Sequence, residues 1–98
     1  MVEYKILYSK LAQKDAKKLS AANLQNKAKE LIETIKKDPF QNPPPYEKLV
    51  GNLSGAYSRR INIQHRLVYE VREEDNVLRI LRMWSHYGVG NSEIGVRS

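Results

Sequence analysis

Cysteine is absent from the 98 residues, so neither a disulfide framework nor a thiolate metal site holds this chain together. The other ligand types for a catalytic metal are scarce as well. Only two histidines occur, His65 and His86, and no metal or other cofactor is expected. There is no run of about eighteen apolar residues to span a bilayer, which points away from a membrane partner. The start, Met1 to Tyr8, has neither the apolar stretch nor the small-residue cleavage site of a secretory signal, so the expected location is cytoplasmic. Acidic residues are in deficit, 11 against 17 lysines and arginines, a formal net charge of +6. A basic surface attracts polyanions such as nucleic acid, although the same charge also serves plain solubility.

What is present reads as one α+β domain. Tyr4 to Tyr8 has the composition of a short strand, and Ser9 stands where a helix N-cap belongs. Ala12, Ala16 and Leu19 recur at helical spacing. Ser20 is then expected to cap a second helix whose inner face is Leu24, Ala28, Leu31, Ile32 and Ile35. The lysines around these positions suit the solvated face of amphipathic helices. Asp38-Pro39 ends the second helix, because proline disfavours helical geometry in the residue before it, and Pro43 to Pro45 reads as extended loop. Beyond the loop the period becomes two. Tyr57, Arg59, Ile61 and Ile63 alternate with Ser58, Arg60 and Asn62, and Leu67, Tyr69 and Val71 with Arg66, Val68 and Glu70. The polar turn Glu73 to Asn76 implies a hairpin into a last strand from Val77 to about Trp84. These elements predict two N-terminal helices packed on one face of a mostly antiparallel sheet. Residues 88–98, with Gly88, Gly90 and Gly95, read as a flexible tail.

A metal-free nuclease acting on RNA needs a base for the 2′-hydroxyl proton, a cation for the crowded phosphate and an acid for the leaving 5′-oxygen. Glu47, Arg66 and His86 have the right chemistry for those roles in turn. Arginine suits the second, since its planar guanidinium donates two hydrogen bonds to a phosphate and stays charged. Each also has a plainer reading: a solvated loop carboxylate, an arginine paired with Glu70, an incidental histidine near the end of a strand. Tyr57, Tyr69, Trp84 and Tyr87 either stack on bases or fill the core.

The order of short segments separates these readings. Asp38-Pro39-Phe40, Glu47-Lys48-Leu49, Asn52-Leu53-Ser54-Gly55, Tyr57-Ser58-Arg59-Arg60-Ile61, His65-Arg66-Leu67-Val68-Tyr69 and His86-Tyr87 follow one another as in the YoeB/Txe family of toxins, within the RelE-like group, which the chain closely resembles from about Ile6 to Tyr87. The resemblance implies a RelE-like domain over residues 1–87 and a ribosome-dependent endoribonuclease of a type II toxin–antitoxin pair that cuts messenger RNA in the ribosomal A site. It places Glu47 as general base, Arg66 as phosphate ligand, His86 as acid and Tyr87 as the C-terminal tyrosine of the site. Arg60, with Arg59 and His65 in the same motifs, is implied to bind substrate. The implied partners are a cognate YefM/Axe-like antitoxin, the ribosome with its messenger, and operator DNA only through the antitoxin complex; homodimerisation stays open. A catalytically disabled RelE-like module that binds DNA or RNA with its antitoxin is the alternative.

Overall fold

A computed structural model describes residues 3–51 and 54–84. His86, Tyr87 and the 88–98 segment lie outside the described residues. The chain runs β1 (Lys5–Tyr8), α1 (Lys10–Ala21), α2 (Gln25–Lys37), β2 (Tyr46–Lys48), β3 (Ala56–Arg60), β4 (Arg66–Arg72) and β5 (Val77–Arg82). The strands form one sheet in the order β1-β5-β4-β3-β2, with every neighbouring pair antiparallel except β1 and β5. This is the expected α+β arrangement.

Local chemistry explains most of the boundaries. The Ser9 hydroxyl accepts the Ala12 N–H at 3.0 Å and donates to the Leu81 carbonyl at 2.9 Å, so one side chain caps α1 and ties it to β5. Ser20 does not cap the second helix. It lies within the last turn of α1, which runs on to Ala21. The reversal falls to Asn23, whose φ of 62° is the left-handed conformation asparagine tolerates, and the Leu24 N–H closes back on the Leu19 carbonyl at 2.8 Å. Helix α2 therefore starts at Gln25 without a side-chain cap. Strand β3 also ends earlier than the alternation to Ile63 predicts. The Asn62 side chain accepts the N–H groups of Gln64 and His65 and closes an Asx-type turn, and the Ile61 and Asn62 N–H groups both return to the His65 carbonyl.

The sheet has two unlike faces. Leu67, Tyr69, Leu78 and Ile80 pack beneath Ala12, Leu19, Ala28, Leu31, Ile32 and Ile35 of the helices in the main core. Leu49, Ala56 and Val68 form a small cluster of their own, with Leu81 against it. The second face carries no helix among the described residues, and Ser58 and Arg60 of β3 and Arg66 and Glu70 of β4 are presented there.

One charged side chain enters the helix-to-sheet contact. Asp15 of α1 is 1% exposed and accepts the Arg82 Nε at 2.8 Å and the N–H groups of Met83 and Trp84 at 2.9 and 3.2 Å. Burial pushes this carboxyl up, but the Arg82 hydrogen bond, the two backbone donors and the Arg82 charge together hold it below its ordinary 3.8. A carboxyl that titrates lower folded than unfolded contributes its full stabilisation above the unfolded value and loses it as pH falls through the folded one. Urea unfolding of the wild type and of Asp15→Asn should therefore show a constant stability gap near neutrality that closes on acidification below about pH 4. A gap unchanged in acid contradicts this account.

Candidate functional site

The site is assembled by strand register. Glu47 of β2 lies opposite Ser58 of β3, and Arg60 of β3 lies opposite Arg66 of β4. Because successive strand residues point to opposite faces, Ser58 and Arg60 stand away from the helices while Tyr57 and Arg59 turn toward them. Glu47 does not sit in a loop, as its proline-rich approach suggests. It is the middle residue of an edge strand, which gives its backbone a fixed position.

Arg66 is the centre of the arrangement. It is 8% exposed, its Nε donates to the buried Ser58 hydroxyl, and its Nη2 donates to Glu47 Oε1 at 2.8 Å. The pairing with Glu70 that a strand arginine invites is not made; Glu70 faces Arg79 at 4.0 Å instead. Glu47 keeps about half of its side chain exposed, 53%, so a substrate hydroxyl can reach its carboxylate. With Pro45, Tyr46 and Arg60, the pair lines a pocket of about 240 Å³. A carboxylate and two arginines thus converge on one open cleft, where the guanidinium groups provide an anion-binding surface and the carboxylate a proton acceptor beside it.

Ser58 is the site residue that sequence reasoning missed. Its place on the Arg60 face is readable from period two, but its contact with Arg66 depends on the β3–β4 register. Asp15 was missed too, although a signal exists: an acidic residue at helical spacing within the Ala12, Ala16, Leu19 row sits on a buried face.

Two expected substrate ligands lie elsewhere. Arg59 is 0% exposed on the opposite face. Its Nε donates to the Tyr69 hydroxyl at 3.0 Å, its Nη1 to the Pro44 carbonyl, and its Nη2 to the Pro39 and Gln41 carbonyls at 3.0 and 2.8 Å. The guanidinium also lies 5.0 Å from the Tyr46 ring centroid. Arg59 therefore fastens the 39–44 loop to the sheet, with its guanidinium donors directed at the loop carbonyls and the Tyr69 hydroxyl. The Tyr69 hydroxyl donates in turn to the Pro39 carbonyl, and burial is the main cause that raises its titration. His65 is 4% exposed and stacked on Trp84, ring centroids 3.9 Å apart and planes within 24°, so its ring is covered. The aromatic residues follow suit: Tyr69 is core, Tyr57 packs edge-on against Phe40 and Tyr46, and Trp84 covers His65. His86 and Tyr87 lie outside the described residues; His86 follows Trp84 by two positions.

A family model described as YoeB-like toxin of bacterial type II toxin-antitoxin system matches residues 8–87. A Synechocystis protein, Toxin YoeB, is 44% identical over 75 residues, covering 76% of this chain and 78% of the relative. Among solved structures, the YoeB-YefM complex from Staphylococcus aureus contains a chain with TM-score 0.73 and 36% identity over 88% of this chain and 100% of that one. The YoeB dimer from the same organism has TM-score 0.75 and 36% identity with the same coverage.

Proposed function

The chain belongs to the YoeB-like toxins of bacterial type II toxin–antitoxin systems, and from that premise we propose that it is an endoribonuclease cleaving messenger RNA in the ribosomal A site. The observation that carries the proposal is the Glu47–Arg66 pair, braced by Ser58 and open to a cleft shared with Arg60. Glu47 takes the 2′-hydroxyl proton, and the freed oxygen attacks the adjacent phosphorus. Arg66, with Arg60 beside it, stabilises the extra negative charge on the phosphate oxygens. His86 protonates the departing 5′-oxygen, and Tyr87 completes the substrate side. The 2′-oxygen–phosphorus bond forms as the phosphorus–5′-oxygen bond breaks, leaving a 2′,3′-cyclic phosphate and a free 5′-hydroxyl. Proton removal, charge stabilisation and proton donation all come from side chains, so the step calls on no metal.

The exposed lysines of α1 and α2, Lys14, Lys17, Lys18, Lys27 and Lys29 among them, offer a contact surface for ribosomal RNA. An antitoxin of the YefM kind is the proposed partner, its acidic residues set against Arg60 and Arg66; self-association fits the dimeric relative.

Induction in growing cells followed by mapping of messenger 5′ ends tests the reading. Cuts should fall within translated codons and disappear with Glu47→Ala and with His86→Gln. Cutting by either variant at the wild-type level refutes the roles. Ser58→Ala should lower the single-turnover rate by about tenfold to a hundredfold, since it removes a hydrogen bond to a charged group worth about 1.5–3 kcal/mol, while ribosome affinity stays close to wild type. An unchanged rate means Arg66 keeps its pose without the serine.

A further inference from the structure

Arg66 begins β4, where the sheet holds the backbone from one side. Arg66 pairs with Arg60 and Leu67 with Arg59 on β3, but the β4–β5 register starts only at Val68, opposite Arg82. That first pair is itself set off by a bulge, since the next, Tyr69, pairs with Ile80. Among the described residues, Arg66 and Leu67 thus have no register partner on β5, and the ends of pairing are where strands open first. A ring stack stands in that place. Trp84, two residues past the end of β5, lies on His65, the residue immediately before Arg66, with ring centroids 3.9 Å apart and planes within 24°. Both halves of the stack are anchored. The buried Asp15 carboxylate accepts the Met83 and Trp84 N–H groups at 2.9 and 3.2 Å, and Trp84 packs against the main core. His65 donates its N–H to Asn62 Oδ1 at 2.7 Å, and its carbonyl accepts the Ile61 and Asn62 N–H groups at 2.8 and 3.2 Å. Its backbone therefore closes the turn that carries Arg60 at one end and Arg66 at the other.

We propose that Trp84 is a positioning residue for Arg66: by stacking on His65 it steadies the start of β4 from the β5 side and keeps the guanidinium aimed between Ser58 and Glu47 into the cleft. The inference rests on the reading of Arg66 as the phosphate ligand and adds to it the contact that sets its pose from behind. The stack and the guanidinium leave the chain in opposite directions, Trp84 toward the core and Arg66 toward Ser58 and Glu47. The lever between them is short. Adjacent Cα atoms are about 3.8 Å apart, so a shift of His65 passes to Arg66 almost undiminished. A misplacement of about 1 Å in a group that stabilises charge lowers rates by on the order of a hundredfold.

Single-turnover cleavage of a short messenger on a programmed ribosome, by the full chain, reads the effect. Trp84→Leu should cleave about tenfold to a hundredfold more slowly, with the half-saturating ribosome concentration unchanged. Trp84→Phe keeps a ring over His65 and should stay within about threefold of wild type. In an Arg66→Ala background Trp84→Leu should add almost no further loss, because the two act through one group. Arginine side-chain NMR reads the pose without RNA. The Arg66 Nε–H, donated to Ser58 and identified by its loss in Arg66→Lys, should shift and exchange faster with water in Trp84→Leu, while the Arg59 Nε–H, donated to Tyr69, stays as in the wild type. Wild-type cleavage by Trp84→Leu, the same fold-loss with and without Arg66, or an unaltered Arg66 Nε–H would each overturn the proposal. Loss of both arginine signals marks an unfolded variant, and Trp84→Met, which keeps apolar bulk without a ring, then decides by the same readings. A wild-type chain that leaves the messenger intact, or an Arg66→Ala variant at full rate, instead marks failure of the functional reading, and the Arg66 Nε–H in Trp84→Leu still decides whether the stack sets its pose.

Discussion

Replacing Arg66 with alanine should slow messenger cleavage by about 10²–10³-fold, the loss typical of removing one donor that is aimed at developing charge. The effect is expected in the single-turnover rate at saturating ribosome rather than in ribosome affinity, because Arg66 is almost covered and contributes little to the basic outer surface. Its position explains the size of the effect. Ser58 and Glu47 hold the guanidinium from two sides, so no side chain has to reorganise as charge builds on the phosphate. Lysine at position 66 should recover only part of the rate, since an ammonium cannot reproduce the planar fork that meets serine, glutamate and phosphate together. A thermal melt should accompany the assay, as the alanine variant leaves the buried Ser58 hydroxyl without its Arg66 partner. Cleavage within about threefold of wild type in a folded Arg66→Ala protein, far short of a lost transition-state donor, would remove Arg66 from the chemistry.

Arg59→Ala should act on stability instead, lowering it by about 3 kcal/mol. The three loop carbonyls of Pro39, Gln41 and Pro44 and the Tyr69 hydroxyl all take hydrogen bonds from this one guanidinium. Buried acceptors that lose their donor cost about 1–3 kcal/mol each, less where water enters. For a domain of this size that corresponds to a melting point lower by on the order of 15 °C. Activity measured well below the new melting point should fall less steeply than in Arg66→Ala, through looser placement of Glu47 at the end of the loop. A melting point unchanged by Arg59→Ala would show that the loop is held by other contacts. The pair of substitutions thus separates two arginines that differ by seven positions in sequence and sit on opposite faces of the sheet.

Several features are legible without any structure. The Ser9 cap, the inner face of α2 and its end at Asp38-Pro39 follow from side-chain spacing and from proline geometry, which act over a few residues. The hairpin through Glu73 to Asn76 follows from turn composition. The motif order from Glu47 to Tyr69 is sufficient to indicate the family, which the family model then matches over residues 8–87. Other features depend on register. Arg59 and Arg60 are adjacent and chemically alike, and both look like phosphate ligands on paper. Strand alternation sends one under the proline loop and the other to the cleft. His65 likewise is a substrate ligand by motif order alone, whereas in the fold Trp84, nineteen positions on, covers its ring.

The amino-acid sequence by itself determined the helices, the hairpin, the family and the chemical candidates Glu47 and Arg66, because caps, turns, periodicity and motif order are local or linear properties. The tertiary structure alone decided which candidates meet: that Glu47 joins Arg66 rather than Glu70 doing so, that Ser58 braces the pair, that Arg59 and His65 are buried supports, and that Asp15 holds the end of β5. Those outcomes are set by strand order and register and by how helix packs on sheet, where a shift of one residue turns a side chain to the other face.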